Sequence, residues 1–237
     1  MLIGNKLYYL DTVDSTNAYA KVLLEKKVSE GTVVLADKQE RGRGRFNKQW
    51  YSPEGGIWMS VILYPTDPAL MSIVAAVAVC EALHLNGILP GIKWPNDILL
   101  NGKKIAGILV EIIDESVIVG IGLNLNIRTF PQELQDIASS VFIETKKHLE
   151  KKMLYDYLCK QLDDCYKMLQ NKQSSELLTK WRHYTVILGQ MVTIEMGDVT
   201  IQGKVLDISN DGALVLMKTD GKIERIPGGV CHLLKDR

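Results

Sequence analysis

The stretch from residue 92 to residue 126 constrains the fold most. Four aliphatic, β-branched runs, 92–94, 98–100, 104–112 and 117–126, are separated only by Pro95-Asn96-Asp97, Asn101-Gly102 and Asp114-Glu115-Ser116. These are turn signals, and Asn-Gly ahead of two lysines is a strong cue for a two-residue hairpin. The segment therefore reads as a set of antiparallel strands. Upstream, 6–11 reads as a short strand, and Asp14-Ser15-Thr16-Asn17 supplies good helix N-cap types for a helix running to about residue 27. Residues 32–36 read as a buried strand, 57–64 as a further strand, 68–86 as a helix and 146–185 as a charged amphipathic helical stretch. Strands, helices and further strands in this order predict an α+β fold, a mixed β-sheet backed by helices, rather than a doubly wound sheet.

The pattern changes near Gly189. Residues 190–237 hold five short strand-like pieces punctuated by Gly197, Gly203, Asn210-Asp211-Gly212, Asp220-Gly221 and Gly228-Gly229. So many turns in so short a span predict a small SH3-like β-barrel. The expected organisation is a main domain over 1–187 and a barrel domain over 188–237.

Composition bounds the function. The 237 residues carry 28 Lys plus Arg against 28 Asp plus Glu, with 46% hydrophobic and 24% charged residues. This is the profile of a globular chain with enough apolar material for a core, and it argues against disorder or a coiled coil. Neutrality removes any global argument for a nucleic-acid or anionic-membrane partner. Cys80, Cys159, Cys165 and Cys231 have no zinc- or redox-type spacing and read as small buried hydrophobes in a reducing compartment. No His lies three or four residues from another His. The N-terminus lacks a basic and an apolar signal region, and the apolar run 69–80 is too short to span a bilayer. A cytoplasmic location is expected.

Against this neutral background, residues 38–48 place Lys38, Arg41, Arg43, Arg45 and Lys48 against a single acid, Glu40. Gly42 and Gly44 alternate with the arginines. Guanidinium groups beside flexible, N–H-rich backbone suit phosphate and carboxylate oxygens. The loop lacks the Gly-Lys-Ser/Thr ending of a P-loop and does not match a dinucleotide fingerprint. A solvated basic loop and an RNA-binding Arg/Gly tract are the competing readings. Trp50, just beyond, suits either stacking on a base or plugging the core. In 93–111, Asp97 sits at a strand mouth, Lys104 enters an apolar strand where it needs an anion, and Gly107 marks a close approach of ligand or backbone. The alternative for Lys103 and Lys104 is a pair of solvated hairpin charges. Asn124 and Asn126 are expected to share one sheet face and to need hydrogen-bonding partners there.

Taken in order, DSTN at 14–17, ADKQERGRGRFNKQW at 36–50, SPEGG at 52–56, KWPND at 93–97, KKIAGILVE at 103–111 and GIGLNLN at 120–126 resemble the motif series of the biotin protein ligases. The resemblance spans about residues 7–130, and the barrel is similar to that family's C-terminal domain. It implies a class II synthetase-like catalytic domain that forms biotinyl-5′-AMP from biotin and ATP with Mg²⁺. Biotin is then transferred to a lysine of a biotin carboxyl carrier protein or domain. By resemblance, Ser15, Thr16 and Asn17 sit where biotin binds, with Thr16 and Gln39 placed for its ureido ring. Arg43, Gly44 and Arg45 belong to the loop that closes over the adenylate. Lys104 contacts carboxylate and α-phosphate, and Trp50 and Asn124 lie on the nucleotide side, with Asn124 near phosphate or Mg²⁺. Asp97 orients or deprotonates the incoming lysine amine, while Lys93 and Trp94 are read as structural.

The chain departs from the family at Asn47 and Lys48, where glycine and arginine are common. Asn tolerates a left-handed backbone, so the loop can still turn, and Lys48 keeps charge but loses the bidentate fork. DSTN also begins at residue 14, which leaves no room before it for the DNA-binding module of bifunctional members. A monofunctional ligase that binds no operator DNA is expected, as a monomer or a homodimer. Lipoate or octanoate ligases are the nearest enzymatic alternative. The nucleic-acid alternative is weakened by the slight acidic excess of residues 190–237.

Overall fold

Residues 1–234 are described by a computed structural model, so the last three residues of the expected barrel domain lie outside the described residues. The chain opens with a crossover. Strand β1 (Lys6–Val13) and β2 (Thr32–Gln39) pair in parallel, joined by helix α1 (Thr16–Glu25). There follow β3 (Ile57–Leu63), α2 (Met71–His84), β4 (Gly91–Lys93), β5 (Asp97–Leu100), β6 (Lys103–Ile113) and β7 (Ser116–Leu123). These strands form one mixed seven-stranded sheet in the order β1-β2-β3-β7-β6-β5-β4, every pair but the first antiparallel. The Asn-Gly cue is met: Asn101 and Gly102 both have positive φ, 52° and 80°, between β5 and β6.

Residues directly opposite one another on paired strands share a face. Met59 pairs with Ile121 and Val61 with Val119, while across the next ladder Ile108 pairs with Ile121 and Val110 with Val119. That face is aliphatic and packs on α2, whose residues are buried almost all round. Burial on every side follows from what lies behind it: α4 (Lys151–Gln170) and α5 (Ser174–Tyr184) close over α2 from the far side. The same pairings put Ser60 opposite Gly120, Trp58 opposite Gly122, Gly107 opposite Gly122 and Asp97 opposite Gly107. The second face is thus glycine-rich and polar.

The helical stretch expected over 146–185 is two helices. A short α3 (Val141–Thr145) ends on Lys146 at φ 60°, and α4 begins only at Lys151. The chain turns again at Asn171–Gln173, where Lys172 has φ 60° and Gln173 N donates to Met168 O at 2.8 Å. One straight helix could not lay both apolar faces against α2; the break lets each do so. Asp163 on α4 anchors the N-terminus by accepting from Leu2 N and Ile3 N, at 2.7 and 3.0 Å. Burial alone would raise this carboxyl, but the Lys167 ammonium and the two backbone N–H groups outweigh it and hold it low. None of the described helices is long and apolar enough to cross a membrane.

The remaining strands, β8 (Met191–Met196), β9 (Val199–Ile208), β10 (Leu214–Lys218), β11 (Ile223–Ile226) and β12 (Val230–Leu233), form an antiparallel sheet in the order β11-β10-β9-β8-β12. This five-stranded unit matches the expected small SH3-like domain. It docks through Arg182 to Asp207 at 2.7 Å, and Trp94 Nε1 donates to Gly212 O at 3.1 Å.

Candidate functional site

The site occupies the glycine-bearing face of the large sheet. The Trp50 ring lies across β6 and β7 on Gly107 and Gly122. A Cβ at 122 would meet the indole nitrogen at 2.5 Å, and one at 107 would meet the ring at 2.9 Å, so only glycine leaves this seat open. Trp50 Nε1 is buried without a partner among the described residues, and Lys104 Nζ sits over the ring, 4.9 Å from its centre.

Lys104 is held on both sides. Its N–H donates to Ile137 O at 3.0 Å, and its carbonyl accepts from Ser139 N at 2.9 Å. The side chain then reaches Asp97, whose two oxygens hold two ammonium groups: Lys104 Nζ at 2.5 Å and Lys93 Nζ at 3.2 Å. Lys93, read from sequence as structural, is therefore part of the cluster. Asn96 joins it too. Its Nδ2 donates to Ile108 O at 2.9 Å, and its Oδ1 accepts from Arg45 Nη1 at 3.0 Å. Burial depresses the Arg45 guanidinium, an effect partly offset by the nearby Asp97 carboxylate. The basic loop is thereby tied to the KWPND turn, whose Trp94–Pro95 peptide is cis.

The loop itself is a small hairpin. Trp50 N donates to Gly42 O at 2.8 Å, Gly44 N donates to Lys48 O at 2.7 Å, and Arg43 bridges Gln49. Arg43 is exposed, Gly44 and Arg45 are half-buried, and Gly42 is buried against Ser52 Oγ and Gln39 Nε2. Asn47 has φ 57°, the left-handed conformation its identity suggested; Phe46, exposed at the tip, adopts it as well at φ 56°.

Beside this cluster runs a continuous polar chain. Lys21 Nζ meets Glu111 Oε1 at 2.6 Å, and Asn17 Nδ2 donates to Glu111 Oε2 at 2.7 Å. Ser60 Oγ lies 2.6 Å from Asn17 Oδ1 and 2.7 Å from Thr16 Oγ1. Thr16 N donates to Gln39 Oε1 at 2.8 Å, Gln39 Nε2 donates to Ser52 Oγ at 2.8 Å, and Ser52 donates to Trp50 O at 3.0 Å. Asn17 packs directly over the Cα of Gly120, where any Cβ would collide with its amide. Ser15 caps α1, its Oγ accepting from Ala18 N at 3.5 Å. Burial by itself would raise the Glu111 carboxyl, yet Lys21, the Asn17 amide and the nearby Arg43 prevail and keep it low and ionised.

Thr16, Gln39, Arg45, Asp97, Lys104 and Trp50 are thus brought to one face. Sequence reasoning missed Glu111 and Ser60. The signal for Glu111 was its spacing: Gly107, Leu109 and Glu111 alternate onto the same face of β6. Asn124 and Asn126 do not share a sheet face, because β7 ends at Leu123. Beyond it Asn124 Nδ2 donates to Ser139 O and Asn126 Nδ2 to Leu149 O, so both amides pin the segments that follow; Asn124 Oδ1 is buried without a partner among the described residues. The four cysteines are free and buried, with the thiol of Cys159 pushed up to about 11 and that of Cys165 to about 12 chiefly by burial. They are packing groups, as expected.

Residues 9–127 match the biotin/lipoate A/B protein ligase family, and residues 187–234 match the biotin protein ligase C-terminal domain. The bifunctional ligase/repressor BirA of Bacillus spizizenii is 37% identical over 233 residues, spanning 93% of this chain and 72% of that protein. The biotin–[acetyl-CoA-carboxylase] ligase of Paracoccus denitrificans is 32% identical over 228 residues, spanning 90% of this chain and 95% of that protein. Among solved structures, the biotin protein ligase from Aquifex aeolicus in complex with biotin and ATP superposes with a TM-score of 0.88 at 33% identity, covering 98% of this chain and 100% of that one. With both sequence matches falling on the sheet and barrel described above, this chain belongs to the biotin protein ligases of the biotin/lipoate A/B protein ligase family.

Proposed function

We propose that this chain is an ATP-dependent biotin protein ligase that loads a lysine of a biotin carboxyl carrier domain. The observation that carries the reading is the convergence of Arg45, Lys104 and Lys93 on one glycine-floored face, directly beside the neutral hydrogen-bonding corner of Thr16 and Gln39. Such a site takes a ligand with a polar neutral ring at one end and a carboxylate at the other. The C-terminal match, specific to biotin ligases, favours biotin over lipoate. We take 1–187 as the catalytic unit and 188–237 as the barrel.

In the first half-reaction a biotin carboxylate oxygen attacks the α-phosphorus of ATP, and the α–β bridging P–O bond breaks to release pyrophosphate. Two anions must meet, so Lys104 and Arg45 lower the barrier by opposing charge that concentrates as the new bond forms. Arg43 and Gly44 close the loop over the adenylate, and Trp50 contacts its adenine side. In the second half-reaction the acceptor lysine Nζ attacks the anhydride carbonyl, AMP leaves, and the amine proton is lost. Asp97 orients or deprotonates that amine, once ligand draws Lys104 away from it. Asn124, whose buried Oδ1 has no partner among the described residues, would help hold Mg²⁺ on the phosphate side, and the ion would offset further phosphate charge. The polypeptide itself carries no net charge, and we expect no operator-DNA binding from it.

The test is pyrophosphate exchange into ATP with biotin, run beside lipoate, followed by transfer of labelled biotin to a carrier domain. Exchange and transfer with biotin alone are expected. Exchange with lipoate but not biotin would overturn the substrate assignment.

A further inference from the structure

Asp97 holds one more cation than its charge requires. Its Oδ2 faces Lys93 Nζ at 3.2 Å, and its Oδ1 faces Lys104 Nζ at 2.5 Å. The Arg45 guanidinium, bonded to the neighbouring Asn96 Oδ1, adds a third positive charge beside them. The two lysines are fixed in different ways. Lys93 pairs directly with Asp97 across the β4–β5 hairpin, four residues away, so one short turn sets both ends of that contact. Lys104 comes from the next strand, beyond the register shift between Ile98 and Leu99. Its stem passes over Gly107, the residue opposite Asp97, where a Cβ would press on Lys104 Cε at 3.2 Å. Lys93 therefore belongs to the hairpin, whereas Lys104 reaches in from outside it.

The Asp97 side chain is 16% exposed, which leaves too little water for its carboxylate to stand unpaired without cost. With Lys104 as its one cation, moving that ammonium to a ligand anion would strand the carboxylate. Asp97 would then compete with the ligand for Lys104. A second ammonium already seated on Oδ2 removes the competition.

We propose that Lys93 is a positioning residue: it is the standing counter-ion of Asp97, and by satisfying that carboxylate it releases Lys104 to the ligand. This deepens, and rests on, the reading of the chain as a biotin ligase. Lys93 acts through Asp97 on Lys104 and needs no contact of its own with biotin or ATP.

The test is a double-mutant cycle between Lys93 and Asp97. It is read by calorimetric biotin binding without ATP and by biotin-dependent pyrophosphate exchange. Lys93→Met keeps most of the stem and removes the charge. Asp97 then retains Lys104, so the dissociation constant for biotin should rise about tenfold, and kcat/KM for exchange should fall by about the same factor. Lys93→Arg restores a cation and should hold both within about threefold of the unaltered enzyme. In an Asp97→Asn background the competing carboxylate is gone, and there Lys93→Met should change both by less than about twofold. A lysine that met the ligand itself would cost its full factor in either background. One that merely braced the turn would lower the melting temperature without any dependence of binding on Asp97. Should Lys93→Met fail to fold, Lys93→Gln still donates to Asp97 Oδ2; it should cost about threefold, and Asp97→Asn should abolish that loss too. Equal losses in the two backgrounds, unaltered biotin affinity in Lys93→Met, or an arginine variant as poor as the methionine one would each overturn the proposal. An unaltered enzyme that binds no biotin overturns the proposed function instead.

Discussion

The two faces of the seven-stranded sheet are made by alternate residues of the same strands and serve opposite ends. On one face Val119, Ile121 and Leu123 of β7 bury methyl groups against α2, and none is more than 2% exposed. On the other, their immediate neighbours Gly120 and Gly122 contribute no side chain at all, so that Asn17 and Trp50 can sit on bare backbone. Stability is concentrated where side chains fill space; the proposed site lies where they are withheld. Because the strand period is two, a shift of one residue in register would exchange the faces and lose both.

The sharpest way to separate the faces is to remove one group from each. Lys104→Ala takes the ammonium proposed to oppose charge at the reacting centre, and biotin-dependent pyrophosphate exchange should fall about 10³-fold, on the order of 4 kcal/mol of transition-state stabilisation. Melting should change little, because Lys104 is part-exposed and Asp97 keeps Lys93. Full exchange activity in this variant would break the comparison on its functional side. Leu35→Ala empties a buried position on the aliphatic face and should cost roughly 3 kcal/mol in denaturant unfolding. Its kcat/KM per folded molecule should stay within a few-fold. A large loss of specific activity there would mean the two faces are coupled through the sheet.

Much of this division was legible in the sequence, and the residues that escaped did so for a common reason. The strands of 92–126, the barrel and the basic loop announce themselves through local turns and spacing, and Lys104, Asp97, Thr16 and Gln39 lie within ordered motifs. Ser60 does not: inside IWMSVIL it reads as a small core residue, and its role depends on pairing with Gly120, sixty positions away. Glu111 needs Asn17 and Lys21, both far back in the chain on α1, to become more than a charge near a strand end. Asn96 acquires its partners only when β6 lies beside the turn and the loop comes down upon it, whereas Lys93 meets Asp97 across its own tight turn. The break at Asn171–Gln173 has the same origin, since two helices must fit one α2. Local chemistry is written in neighbours, whereas the hydrogen-bond partners of buried polar groups are chosen by tertiary register.

The basic loop offers the finest test of where function and stability part. Asn47 and Phe46 both occupy left-handed backbone, at φ 57° and 56°. Asn adopts it readily, but an aromatic residue does so at a cost of about 1 kcal/mol. Phe46 is 65% exposed, and what its ring gains is the Arg45 guanidinium stacked 4.8 Å away. Phe46→Gly relieves the strain and removes that stacking partner, while glycine widens the freedom of the unfolded chain. The opposing terms leave a net change of stability within about 0.5 kcal/mol. The functional consequence should be larger than the structural one. Without the ring Arg45 keeps its Asn96 contact on this side, so biotinyl-adenylate should leave the enzyme about threefold faster, as followed by release of labelled adenylate in the absence of acceptor. A release rate equal to that of the unaltered enzyme would show that Asn96 alone holds Arg45 over the site, and the boundary between the faces would then lie at the KWPND turn rather than at the tip of the loop.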